Sequence, residues 1–144
     1  MGWAGLACIL ILVSPTYAED FSDEDCQECH ADAELEAEDG RILFVHEDSL
    51  SVSVHEDVTC VECHTGIDEL PHEEKLEKVV CAECHDDSQE DYSASVHGQA
   101  LAAEDPDAPT CGDCHGTHVI RAVDDEASMV YHAALIETCG RCHA

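Results

Sequence analysis

The stretch CGDCHGTH at residues 111–118 places two cysteines and two histidines within eight residues. Its first five residues, with the spacing C-x-x-C-H, recur along the chain. The five copies are CQECH (26–30), CVECH (60–64), CAECH (81–85), CGDCH (111–115) and CGRCH (139–143). The repetition indicates one kind of site built five times, and the chemistry of that site decides the fold.

The spacing C-x-x-C-H is typical of covalent haem attachment. Two residues between the cysteines let both sulfurs form thioethers with one haem, and the adjacent histidine can then bind the iron. The sequence therefore predicts five covalently attached haems c. The predicted thioether residues are Cys26, Cys29, Cys60, Cys63, Cys81, Cys84, Cys111, Cys114, Cys139 and Cys142. The predicted proximal iron ligands are His30, His64, His85, His115 and His143.

Three other chemistries use closely spaced cysteines. Structural zinc takes four ligands, usually from paired C-x-x-C units, and five pairs is an odd number for paired sites. A disulfide scaffold suits an exported protein. Neither explains a histidine directly after every second cysteine. A thioredoxin-like dithiol requires a βαβ pattern, which the sequence lacks.

Charge and composition narrow the function further. The chain has 34 Asp and Glu against 5 Lys and Arg, a formal net charge of −29. Nucleic acid is therefore excluded as a partner, whereas basic protein surfaces would be attracted in a salt-dependent way. Aromatic residues make up only 4% of the chain. Such a chain is short of large side chains for a protein-only core, so cofactors are expected to supply the interior.

The first eighteen residues read as a secretory signal. Their apolar run is too short to span a bilayer and ends in small residues, so cleavage is expected after Ala18. Cys8 lies inside this run and is interpreted as an apolar filler. Residues 1–18 are therefore the predicted signal peptide, and residues 19–144 form one predicted pentahaem cytochrome c domain.

A second axial ligand is needed for each low-spin haem iron. Six histidines lie outside the five motifs: His46, His55, His72, His97, His118 and His132. Met129 is the only methionine after the signal, so at most one haem could have a His/Met pair. We therefore expect mostly bis-histidine haems, with distal candidates His55, His72, His97, His118 and His132. Met129 is the rival of His132 for one iron.

His118 is a special case. It follows His115 by three residues and leaves from the same face of the haem, so it cannot reach the opposite face. We therefore expect His118 to bind the iron of a different haem, packed against the haem held by Cys111 and Cys114.

The expected fold is mostly irregular with short α-helices and no significant sheet. About 25 residues per motif are too few to bury each porphyrin separately, so the chain should wrap around a stack of haems. Helices are expected at 71–80, 89–103 and 125–138, with Asp105-Pro106 ending the second. The acidic run between Cys29 and Arg41 is expected to be a solvated loop or frayed helix.

The chain resembles the multihaem c-type cytochromes of anaerobic respiration. The resemblance rests on SVHEDVTCVECHTGI, PHEEKLEKVVCAECH, YSASVHGQALAAEDPDAPTCGDCHGTHVI and TCGRCHA, and it covers most of residues 22–144. It implies a small electron carrier, not an enzyme, that is exported to the periplasm or beyond. The implied partners are a quinol-oxidising membrane protein upstream and a reductase or another cytochrome downstream. In that family a Ser-x-His pattern usually marks a ligand, which favours His55 over His46.

Two other functions stay open. One is a small multihaem reductase of nitrite-like oxyanions, which needs an iron with an open face and a shaped pocket. The pentahaem nitrite reductases replace one motif histidine by lysine, whereas all five motifs here end in histidine. The other is a subunit that stacks on itself in an extracellular haem filament.

Overall fold

The computed structural model describes residues 21–73 and 75–143, so the predicted signal segment lies outside the described residues. This part of the chain is mostly irregular, with short helices and no sheet, as predicted. Its only β-type pairing is an isolated antiparallel bridge between Glu36 and Ile42. Six helices are α1 (Asp23–His30), α2 (Cys60–Cys63), α3 (Asp86–Ala94), α4 (Val96–Ala102), α5 (Cys111–His115) and α6 (Leu135–Gly140). A 3-10 helix covers Cys81–Glu83.

None of the helices in the described ranges combines the length and apolar character needed to cross a membrane.

The predicted helix at 71–80 is wrong. The described residues of this segment are irregular, and helical structure begins only at Cys81. Short helices depend on packing an apolar face against a neighbour. Residues 75–80 include only three apolar side chains, and two of them, Val79 and Val80, are exposed. The segment therefore has no apolar face whose burial against a neighbour could stabilise a helix.

The predicted helix at 89–103 is two helices, α3 and α4, which meet at Ser95. The Ser95 hydroxyl donates to the carbonyl of Tyr92 at 2.6 Å and accepts from the amide of Gly98 at 3.1 Å. Ser95 thus ends α3 and caps the start of α4, because serine side chains compete with the helical backbone for its hydrogen bonds. The second helix stops at Ala102, close to the expected stop at Asp105-Pro106.

The predicted helix at 125–138 is also largely wrong, since only its C-terminal part belongs to α6. Residues 125–134 form turns. The Asp125 carboxylate accepts from the amide of Ala127 at 2.8 Å and from the guanidinium of Arg121 at 2.9 Å. These local bonds hold the backbone in turns rather than in a helix.

The acidic run after α1 is a loop that folds back on the helix. The amide of Ala37 donates to Arg41 O at 2.9 Å, and the amide of Leu43 donates to Leu35 O at 2.9 Å. The amide of Val45 then reaches His30 O at 2.8 Å. The loop therefore returns the chain to the histidine of the first motif.

Apolar side chains do not form a core in the described residues. Ala37 is the only hydrophobic residue buried there, and large side chains such as Val96 and Ile136 are 77% and 88% exposed. Hydrophobic packing between side chains therefore does not determine where the helices lie.

Gly98 provides a test of the junction between α3 and α4. A Cβ atom at this position would lie 2.1 Å from the backbone oxygen of Tyr92 and 2.7 Å from Ser93 Cα. Because both obstacles are backbone atoms, Gly98→Ala must displace α4, and we expect a loss of about 1–3 kcal/mol of unfolding free energy. Denaturant unfolding followed by circular dichroism measures this loss.

Gly140→Ala is the matched control, since Gly140 is helical and has nothing within 4 Å of the added Cβ. It should be neutral or stabilising by up to about 1 kcal/mol. Equal losses in both variants would contradict the packing described for Gly98.

Candidate functional site

The backbone of the second and fourth C-x-x-C-H motifs is fixed by capping boxes. Thr59 and Thr110 each precede the first cysteine directly. The Glu62 carboxylate accepts the Thr59 amide at 2.7 Å and its hydroxyl at 2.9 Å. The Asp113 carboxylate accepts the Thr110 amide and hydroxyl, both at 2.6 Å. Each acidic side chain lies between the two cysteines of its motif and holds them on one helical turn.

A capping box also precedes the first motif, where it lies one turn N-terminal to its cysteines. The Asp25 carboxylate accepts the amide of Ser22 at 2.8 Å and its hydroxyl at 2.7 Å, so α1 is already formed when it reaches Cys26. The third motif follows Val80 and forms only a 3-10 turn. The fifth motif has Arg141 where an acidic residue would close the box.

The first and second motifs touch each other. The Asp23 carboxylate accepts the amide of Cys60 at 2.8 Å, which ties α1 to α2. The thiols of Cys26 and Cys60 are close enough to affect each other's pKa. Burial raises the pKa of Cys60 to about 12, and the neighbouring Asp23 and Cys26 raise it further in the same direction. Both thiols therefore stay protonated near neutral pH.

The remaining motifs continue the contacts in chain order. Burial raises the pKa of Cys63, with a further contribution from the third-motif thiols. Burial likewise raises the pKa of Cys111, with a further contribution from the neighbouring Cys81 thiol. Cys114 shows the same effect from burial, then from Asp113, and then from the fifth-motif thiol of Cys139. Each motif therefore lies beside the next one along the chain.

Four motif histidines each face a histidine from elsewhere in the chain. The ring centres are 5.8–6.1 Å apart in every pair. The pairs are His30–His72, His85–His55, His64–His118 and His143–His97. An imidazole nitrogen binds a metal ion at about 2 Å, and the ring centre lies about 1 Å behind it, so two imidazoles on opposite sides of one ion have centres about 6 Å apart. The four pairs fit this separation.

The pair His30–His72 is the most regular. Its planes are inclined by only 10°. The Nδ1 atoms of His30 and His72 lie 2.8 Å from Leu43 O and 2.7 Å from Glu73 O, where only an N–H can make a hydrogen bond. Both rings then carry their free lone pair on Nε2, which is the nitrogen available to a metal.

The pair His64–His118 lies next to the first pair. Burial lowers the pKa of His64, and the neighbouring imidazoles of His118, His30 and His72 lower it further. Burial also lowers the pKa of His118. A lowered pKa keeps an imidazole neutral, which is the form that binds a metal. The structure thus brings His118 to the second motif and not to its own motif.

The histidines of the two SVH sequences are positioned by the serine that precedes them. Ser53 Oγ accepts from the amide of His55 at 3.2 Å, and Ser95 caps the helix that carries His97. His55 and His97 are both half-buried, as are His72 and His118. The unpaired histidines His46, His115 and His132 are exposed, as are the motif histidines His85 and His143.

His115 has no histidine ring beside it among the described residues. His46 is exposed, and its Nδ1 accepts the amide of Asp48 at 3.2 Å. His132 is exposed, with its ring 4.2 Å from that of Tyr131. The sulfur of Met129 lies 3.6 Å from the position that a Cβ on Gly116 would occupy. The segment that contains Met129 and His132 therefore lies beside the fourth motif.

None of the ten motif cysteines forms a disulfide. Across residues 21–73 and 75–143, no group of three or more His, Cys, Asp and Glu side chains is arranged to hold a metal ion. The unit that recurs in the structure is a pair of imidazoles beside a pair of thiols.

The sequence reasoning missed the residues that position the site. Thr59 with Glu62 and Thr110 with Asp113 match the capping-box pattern S/T-x-x-E/D, so this signal was present in the sequence. Ser53 bonds to Ile120, far along the chain, and no local pattern shows such a contact.

No protein-family model matches the chain, and no curated protein or solved structure is similar to it.

The capping box of α5 predicts a pH-dependent stability. The hydroxyl of Thr110, followed by its amide, lowers the pKa of Asp113. The Asp113 carboxylate therefore stabilises the folded state fully above the ordinary pKa of an aspartate. This stabilisation is lost as the pH falls through the lowered pKa of Asp113. At neutral pH, Asp113→Asn should reduce the unfolding free energy by roughly 0.5–1 kcal/mol.

Thermal unfolding at neutral and strongly acidic pH checks this prediction. The difference in melting temperature between the wild type and Asp113→Asn should become smaller in acid. Asp124→Asn, at an exposed carboxylate outside the helices, is the control and should have little effect at either pH. A difference that persists unchanged in acid would contradict the role of the carboxylate.

Proposed function

We propose that this chain is an exported electron-transfer protein that carries five covalently attached haems c, most of them with two histidine ligands. The observation that carries the proposal is the set of four histidine pairs. Every pair joins one C-x-x-C-H histidine to one histidine from outside the motifs, at 5.8–6.1 Å. Unrelated surface histidines would have no reason to pair in this way four times.

The residues around each pair fit a haem. The two cysteines of a motif hold thioethers on one helical turn, and the adjacent histidine lies at the end of that turn. The second imidazole comes from a separate segment and faces the first. Backbone carbonyls fix the rings of His30 and His72 through Nδ1 and leave Nε2 for the iron. A haem bound there supplies one-electron redox chemistry, at a potential that two histidine ligands keep lower than a methionine would.

The contacts between motifs support electron transfer rather than five independent sites. Each motif lies beside the next along the chain, from Cys26 and Cys60 to Cys114 and Cys139. Cofactors held by neighbouring motifs would be held close together. Under this proposal the chain is not an enzyme, and its partners are redox proteins: a quinol-oxidising membrane protein and a reductase or another cytochrome. The net charge of −29 favours partners with a basic surface.

The signal segment predicted at residues 1–18 supports export, and haem attachment through C-x-x-C-H fits a periplasmic or extracellular protein. The haem stack as the core of the fold is part of the same proposal. It is supported by the presence of only one buried hydrophobic residue in the described part of the chain.

One observation favours a second candidate, a reductase of a small oxyanion. His115 has no histidine ring partner among the described residues, and a reductase requires one iron with an accessible face. We propose instead that the segment with Met129 and His132 completes this site, because the Met129 sulfur lies beside Gly116. His132 is the ligand expected from the sequence and Met129 is its rival, whereas His46 lies in the segment that follows the acidic loop after the first motif.

Haem stoichiometry tests the main proposal. The protein should be produced in a host that matures c-type cytochromes, and its intact mass combined with a pyridine haemochrome assay. We expect five haems and a mass that lacks residues 1–18. A chain without haem, with bound zinc or five disulfides instead, would exclude the proposed function.

The fourth site is tested by His132→Ala with His46→Ala as the matched control. If His132 is a ligand, its loss converts one haem in five to a high-spin form that binds carbon monoxide when reduced, while His46→Ala leaves all haems low-spin. Optical and electron paramagnetic resonance (EPR) spectra distinguish the two results. Carbon monoxide binding to one haem of the wild-type protein would instead favour the reductase.

A further inference from the structure

We propose that Ser53 is a positioning residue that sets the distal ligands of two neighbouring haems at once, His55 for the third motif and His118 for the second. The proposal rests on the proposed function, since it assigns a role to a residue that touches no metal ligand ring. It depends on a buried cluster of hydrogen bonds between two segments that are far apart in the sequence.

The Ser53 hydroxyl is fully used. It donates to Ile120 O at 3.0 Å, and it accepts from the amides of Ile120 and His55, both at 3.2 Å. A hydroxyl has one hydrogen to donate and two lone pairs to accept with, so no capacity is left over. Ser53 is 6% exposed, and water therefore cannot easily replace these bonds.

The backbone on both sides is joined at the same point. The amide of Val54 donates to Ile120 O at 2.7 Å, so this carbonyl accepts from Val54 and from Ser53. Ile120 follows His118 by two residues, and His55 follows Ser53 by two residues. A shift of either segment would therefore be transmitted to both histidines.

The two histidines serve different motifs. The ring of His55 lies 5.8 Å from that of His85, and the ring of His118 lies 6.1 Å from that of His64. The two motifs are themselves neighbours, since the thiol of Cys63 lies close to those of Cys81 and Cys84. Ser53 thus fixes two ligands of adjacent sites relative to each other, which the other SVH serine, Ser95, does not do.

Serine hydroxyls elsewhere provide controls. Ser128 is 4% exposed, and its hydroxyl donates to Arg121 O and accepts from the amide of Val130, both at 3.4 Å. It is buried as deeply as Ser53 and bonds to Arg121, the residue directly after Ile120, but its hydroxyl makes no hydrogen bond to Ser53, His55 or Ile120. Ser95 positions His97, whose partner is His143 of the fifth motif.

The experiment compares Ser53→Ala, Ser53→Thr, Ser95→Ala and Ser128→Ala in haem-loaded protein, after five haems have been counted in each. His55→Ala and His118→Ala first identify the EPR components of the third and second sites. These components should differ, because the ring planes of the two pairs are inclined by 70° and 33°.

In Ser53→Ala, both components should shift or lose intensity together, and carbon monoxide should bind to part of these two haems. Ser53→Thr keeps the hydroxyl and should restore both components. Ser95→Ala and Ser128→Ala should leave the two components unchanged, even where they lower the melting temperature.

The inference is overturned if Ser53→Ala lowers the melting temperature as Ser128→Ala does but leaves both components intact, since the hydroxyl would then be structural only. A change in just one component would also overturn it. Failure of the proposed function would appear earlier and separately, as a wild-type chain without five haems.

Discussion

Two imidazoles on opposite sides of one metal ion have ring centres about 6 Å apart, and four histidine pairs of this chain keep that separation. A closer approach would leave no room for the ion, and a wider gap would break one bond. The four histidine pairs meet this requirement with segments that have no apolar core to hold them. Their positions depend on hydrogen bonds instead: Leu43 O and Glu73 O for the first pair, and Ser53 and Ser95 for His55 and His97.

The pairs are interlaced along the sequence. The second motif lies between His30 and His72 in the sequence, and also between His55 and His85. His64 and His118 enclose the third and fourth motifs, while His97 reaches past the fourth to His143. The second, third and fourth motifs each lie between the paired histidines of another motif, so none of these three can be removed without cutting a segment that joins another pair.

The sequence predicted the features that depend on local chemistry and missed those that depend on packing. The C-x-x-C-H motifs and the absence of a sheet could be read directly. Steric reasoning at the fourth motif predicted that His118 would leave its own motif, and the structure brings it to His64. The choice of His64 could not be derived, because it depends on the contact of Ile120 with Ser53. The helix predictions at 71–80 and 125–138 failed because propensity alone does not hold a short helix without an apolar face to pack.

Some of the acidic side chains have a structural role. Asp25, Glu62 and Asp113 close capping boxes at three motifs, and Asp23 links α1 to the amide of Cys60. These carboxylates lie at helix N-termini, where negative charge is favoured. Most of the other acidic side chains are exposed, and their mutual repulsion opposes compaction of a chain without an apolar core. Closing four long loops adds a further entropic cost. Under the proposed function, the covalent and coordinate bonds to the cofactor supply the missing stabilisation, so folding of this chain and attachment of its haems are coupled.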